Sequence, residues 1–89
     1  MRRIAQRKLF RADVKHQKRR GKDIEDLFAA VELLAERGAL PAAFAAHKLS
    51  GQWSGVWECH IEPDWLLIYT VTPEEVLLIR TGSHADLFG

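Results

Sequence analysis

With 89 residues, 47% hydrophobic and 28% charged, the chain has the composition of one small folded domain, 1–89, and not of a disordered segment. No apolar run approaches the ~18 residues of a membrane span, no secretory leader is visible after Met1, and the single Cys59 excludes an internal disulfide; a cytoplasmic setting without membrane contact is therefore expected. The formal net charge of +1 conceals a split, because residues 2–22 carry ten Lys/Arg against Asp13 alone, a balance of +9, while residues 23–89 balance at −8. A basic end of that kind suits a phosphate-rich surface, although the same charges could simply coat a solvated helix face.

Residues 2–7 read as a short edge strand whose Arg side chains discourage stray pairing. From Lys8 to Arg20 a narrow stripe of Leu9, Phe10 and Val14 marks an amphipathic helix, closed at Gly21, which tolerates the left-handed conformation past a helix end. The second helix starts at the N-cap Asp23, with Glu25 and Asp26 in the first turn where the helix dipole favours negative charge. Ile24, Leu27, Phe28, Val31, Leu34 and Ala35 give it one buried face, and Gly38 followed by Pro41 ends it. A connection with room for a short helical turn leads to Ser50-Gly51.

From Val56 the period becomes two. Trp57, Cys59 and Ile61 alternate with Glu58, His60 and Glu62, as on a strand with one wetter face. Pro63-Asp64 makes a tight turn. Trp65 to Val71 is apolar on both faces, as on a central strand covered from both sides. Thr72 to Glu75 turn the chain, and Val76 to Thr81 form the last long strand. Short connections imply antiparallel neighbours. The expected fold is α+β: an N-terminal helical hairpin packed on one face of a small, mainly antiparallel sheet.

Equal parity puts Glu58, His60 and Glu62 on one strand face. Arg80 and His84 share parity too, so strands lying side by side would gather His60, Arg80 and His84 on the face away from the helices, with Asp64 in the adjoining turn. Two imidazoles, a carboxylate and a guanidinium suit metal-free phosphodiester cleavage. Histidine titrates near neutral pH and serves as base or acid, and the arginine fork matches phosphate oxygens. Blander roles stand beside these: Arg80 could pair with Glu58 or Glu62, Trp65 could be core, and Phe88 could anchor the tail. His47, Cys59, His60, Asp64 and His84 are possible metal ligands, but no Cys-x-x-Cys, helical His-x-x-x-His or EF-hand spacing accompanies them, so neither metal nor other cofactor is expected.

The blocks H-K-L-S-G (47–51), E-C-H-I-E-P-D-W-L-L-I-Y (58–69) and R-T-G-S-H-A-D-L-F (80–88) resemble the YafQ branch of the RelE/ParE toxin superfamily. The match is specific over residues 40–89 and one of pattern before that. The resemblance implies the RelE, or microbial-ribonuclease-like, fold. It also implies an endoribonuclease toxin that cuts mRNA in the A site of the 70S ribosome without metal. Its expected partner is a cognate antitoxin of ribbon-helix-helix or similar DNA-binding type, in a hetero-oligomer. The family's functional set falls on His47, His60, Asp64, Trp65, Arg80, His84 and Phe88. His60 is then the expected base and His84 the acid, in either order. Arg80 would stabilise the transition-state phosphate, Asp64 would orient a histidine or the ribose, and His47 would assist proton transfer or touch the phosphate. Trp65 and Phe88 would position bases or support the site. The basic segment, through Arg11, Lys15, Lys18 and Arg19, would dock on ribosomal RNA or meet an acidic antitoxin segment. The alternatives are a same-fold toxin that acts by binding, such as a gyrase poison, and a non-catalytic RNA-binding module.

Overall fold

The computed structural model describes residues 1–53 and 55–89, excluding the side chain of Gln52. Strand β1 (Arg3–Gln6) leads into helix α1 (Lys8–Arg19) and helix α2 (Ile24–Arg37). A 3₁₀ turn at Ala42–Phe44 precedes strand β2 (His47–Lys48), and a second at Gly51–Trp53 precedes strand β3 (Trp57–Glu62). Strands β4 (Trp65–Val71) and β5 (Glu75–Gly82) follow, and helix α3 (His84–Phe88) closes the chain. The sheet order is β1-β5-β4-β3-β2. All neighbours are antiparallel except β1 and β5, which run parallel; that pairing is possible because the whole α1–α2 hairpin and three strands separate the two in sequence.

Local chemistry explains the hairpin. Asp23 accepts the Glu25 N–H at 3.0 Å and caps α2, and Gly38 closes it at φ 72°. Phe10 of α1 and Leu27, Val31, Leu34 and Ala35 of α2 pack with Cys59, Trp65, Leu67, Tyr69, Val76 and Leu78 of the sheet in one core. The inward face of α1 corrects the expected stripe. Phe10, Val14 and Gln17 turn inward at helical spacing, whereas Leu9, one step of about 100° from Phe10, stays 60% exposed.

Two further corrections concern the sheet. The strands carrying His60 and Arg80 are not neighbours, since β4 stands between them. And β5 carries an extra residue: Ile68 pairs with Arg80 while Tyr69 pairs with Leu78, leaving Ile79 as a bulge. The bulge turns Arg80 onto the face opposite the helices, in one row with His47, Glu58 and Ile68 across four strands. His60, Leu66 and Gly82 form the next row.

Candidate active site

The site lies on the sheet face opposite α1 and α2, with α3 beside it. Ser83 and Asp86 form a capping box at the start of that helix, with the Ser83 hydroxyl accepting from the Asp86 N–H and the Asp86 carboxylate accepting from the Ser83 N–H. Gln17 of α1 and the Arg20 that caps that helix pull α3 down. The Arg20 guanidinium grips Asp86 in two bonds of 2.7 and 2.9 Å, and the Gln17 amide donates to Asp86 at 3.2 Å. Arg20 first, and the Ser83 N–H second, hold the Asp86 carboxyl well below the ordinary carboxylate range. Gly82 is needed here for space: a Cβ on it would lie 2.9 Å from the Asp86 side chain. This anchorage sets His84, the first residue of α3, over the end of the sheet.

His84 and His60 face each other with ring centroids 6.0 Å apart. Each is oriented through Nδ1. The His84 Nδ1 lies 2.6 Å from Asp64 Oδ1, and the same oxygen accepts the His84 backbone N–H at 2.9 Å. That backbone bond, then the imidazole bond, lowers the Asp64 pKa, so the carboxylate is ionised opposite the ring. The His60 Nδ1 lies 3.2 Å from the Pro63 carbonyl. A carbonyl only accepts, so Nδ1 carries the hydrogen and neutral His60 keeps its lone pair on Nε2.

Glu58, which sequence reasoning treated only as a partner for Arg80, instead organises the histidines. It is 6% exposed, with its Oε2 3.1 Å from His47 Nε2 and 3.9 Å from His60 Nε2. The His47 Nδ1 donates to the Ala45 carbonyl at 3.0 Å. Glu58 is thus placed to accept a hydrogen bond from His47 Nε2. This pairing of a buried acid with histidines was visible in the sequence only as the equal parity of residues 58 and 60. The two-residue strand β2, which brings in His47, left no periodic signal.

Arg80 pairs with neither Glu58 nor Glu62. Its Nε and Nη2 donate to Asp13 of α1 at 2.7 and 3.1 Å, and Asp13 also accepts the Thr81 N–H at 3.1 Å. Asp13, the one acid of the basic segment, thus seals the bulge and fixes the guanidinium. The Arg80 Nη1 makes no hydrogen bond among the described residues. Glu62 pairs instead with Lys22 at 2.7 Å.

The aromatic pair divides. Phe88 is 45% exposed, its ring 6.4 Å from His84 and 5.8 Å from Trp53. Trp65 is fully buried in the helix-side core and donates its indole N–H to Thr81 Oγ1 at 2.9 Å. It offers no face to a base, so the expectation of direct substrate contact is corrected: Trp65 supports the strands beneath the site. Arg11, Lys15, Lys18 and Arg19 are all exposed on α1, away from the catalytic row. Among the described residues no group of three or more His, Cys, Asp or Glu is placed to hold a metal ion. Burial first, and Glu58 second, push the Cys59 thiol up to about 12, which makes it an inert core residue.

A family model described as the bacterial toxin YafQ of type II toxin–antitoxin systems matches residues 2–89. The chain belongs to the YafQ toxin family. It is 42% identical over 81 residues to the mRNA interferase toxin YafQ of Escherichia coli K12, covering 90% of this chain and 88% of that one. The E. coli DinJ–YafQ complex superposes at a TM-score of 0.90 with 40% identity and full coverage of both chains. A copper-bound mutant toxin from Helicobacter pylori superposes at 0.91 with 35% identity, over 99% of this chain and all of that one. The YafQ structures share the α+β architecture described above. No helix among the described residues is long and apolar enough to cross a membrane.

Proposed function

We propose that this protein is a ribosome-dependent endoribonuclease that cuts mRNA in the A site of the 70S ribosome, needs no metal of its own, and is held silent by a cognate antitoxin. The relative named an mRNA interferase and the relative solved with the antitoxin DinJ support the class and the partner. The observation that carries the chemistry is the pair of histidines 6.0 Å apart, each tied through Nδ1 and each left with Nε2 for the substrate.

The reaction is a transesterification. His60 Nε2 takes the proton of the ribose 2′-hydroxyl, and the 2′-oxygen attacks the adjacent phosphorus. The bond to the 5′-oxygen of the next nucleotide breaks as the His84 imidazolium gives that oxygen a proton. The products are a 2′,3′-cyclic phosphate and a 5′-hydroxyl end. Arg80, already fixed by Asp13, turns its remaining N–H groups to the phosphorane oxygens without reorganising. Asp64 holds His84 in the tautomer that transfers through Nε2. Glu58 Oε2, 3.9 Å from His60 Nε2 and 3.1 Å from His47 Nε2, stabilises the imidazolium that His60 becomes on taking the proton. Phe88 offers a stacking face for a base beside the scissile phosphate.

Primer extension on a translated message tests the reading. Wild type should give codon-phased cuts, and His84→Ala should lose them by roughly 10²–10⁴-fold while still binding antitoxin. Full cleavage by His84→Ala would sink the assignment. DNA damage with intact message would mark a gyrase poison, and arrest with both intact would mark a binding module.

A further inference from the structure

A recess of about 380 Å³ opens beside the site, lined by Arg7, Lys8, Leu9, Trp53, Ile79 and Arg80. Its origin is topological. The β1 pairing with β5 stops at Leu78, where the Arg7 N–H makes the last backbone bond. There β1 peels away into α1, and the Ile79 bulge pushes outward into the gap. The lining is apolar at Leu9, Trp53 and Ile79 and cationic at Arg7, Lys8 and Arg80, and it contains no carboxylate. The volume lies in the usual range of ~300–1,000 Å³ for small-molecule sites.

The recess also continues the catalytic row. Ring centroids step from His60 to His84 at 6.0 Å, to Phe88 at 6.4 Å and to Trp53 at 5.8 Å, and Trp53 is the wall of the recess. Arg80 belongs to both places. Leu9 and Phe88, two of the large apolar side chains left exposed, both lie on this path. An apolar slot ringed by cations, and reached along aromatic faces from a phosphate-cleaving centre, matches one occupant: a nucleobase whose flanking phosphates meet Arg7 and Lys8.

We infer that the recess is a nucleotide subsite, which takes the base of an mRNA nucleotide flanking the scissile phosphate. The inference rests on the nuclease reading for its choice of RNA. It assigns roles to Leu9 and Trp53 as base contacts and to Arg7 and Lys8 as phosphate contacts.

The test uses 2′-O-methyl RNA trinucleotides, which lack the nucleophile and cannot be cut. One probe carries all its bases, one is abasic at the 5′ nucleotide and one abasic at the 3′ nucleotide. One of the two abasic probes should bind wild type roughly five- to hundredfold more weakly than the intact probe. Trp53→Ala, and Leu9→Ala at a position exposed enough to leave folding untouched, should shrink that ratio towards one without weakening the abasic probe. Equal affinity for all three probes, no measurable binding of any, or a ratio unchanged in Leu9→Ala would overturn the inference. Cleavage of a translated message by the same wild-type sample separates the two claims. Base-dependent binding without codon-phased cuts removes the nuclease reading and keeps the subsite, and cuts without base dependence do the reverse.

Discussion

A single oxygen holds both the backbone and the ring of His84. Asp64 Oδ1 takes both the backbone N–H and the ring Nδ1 of His84, so one carboxylate places the residue and selects its tautomer. Asp64→Asn keeps an acceptor oxygen at that point but removes the charge. Steady-state kinetics on programmed ribosomes should show kcat falling, by less than the ~10²–10⁴-fold loss of a missing acid, with KM unchanged. A KM effect alone would mean that Asp64 binds the ribose and does not orient the histidine. The proposed independence from metal belongs to the same scale. Toxin stripped with a chelator and returned to magnesium buffer free of copper and zinc should cut at its original rate. Restoration of a lost activity by added copper or zinc would assign the histidines to a metal and not to proton transfer.

At the scale of elements, α3 is five residues long and cannot stand without its clamps. Its capping box contributes about 1 kcal/mol, and Asp86 joins it to Gln17 of α1 and to Arg20 at the end of that helix. The Asp86 pKa is depressed in the folded state, so its stabilisation is complete above the unfolded carboxylate value of about 4 and is lost as pH falls from there towards the folded value. Thermal melts should therefore show wild type most above Asp86→Asn in melting temperature at pH above about 4, with the gap closing on acidification. A gap independent of pH would deny Asp86 that role. Gly82→Ala should crowd the same carboxylate at a cost of about 1–3 kcal/mol and displace His84, so mRNA cleavage should fall further than stability alone explains. The capping signal Ser83-x-x-Asp86 stands in the sequence, but the helix it starts is five residues long, too short for a period to show. The two long helices and three long strands were legible because each carries enough residues for its period to show. Strand β2 has two residues and no period. The Ile79 bulge, which decides where Arg80 points, and the Asp13–Arg80 pair, 67 positions apart, depend on tertiary packing that no local pattern encodes.

For the whole molecule, the charge split becomes a division of surfaces. Phe10, Val14 and Gln17 hold one side of α1 against the sheet and α3, so Arg11, Lys15, Lys18 and Arg19, spaced four, three and one apart, must share the outer side. Among the described residues none of these four enters an ion pair. Two other basic residues of the segment are spoken for, Arg20 by Asp86 and Lys22 by Glu62. What remains is a row of unneutralised cations on a rigid helix, joined by Asp13 and Gln17 to the elements that carry Arg80 and His84. A surface of that kind would orient the catalytic face while it holds rRNA phosphates, and would equally attract an acidic antitoxin segment. Reversing the four charges to Glu leaves the core untouched. Ribosome affinity should drop, and the slope of log affinity against log salt should flatten by about 0.7–0.9 for each phosphate contact removed. Binding of the 2′-O-methyl trinucleotide should change little, since the recess cations Arg7, Lys8 and Arg80 are retained. An unchanged salt slope on the ribosome would show that the α1 surface does not dock there, and would leave the +9 segment to the antitoxin alone.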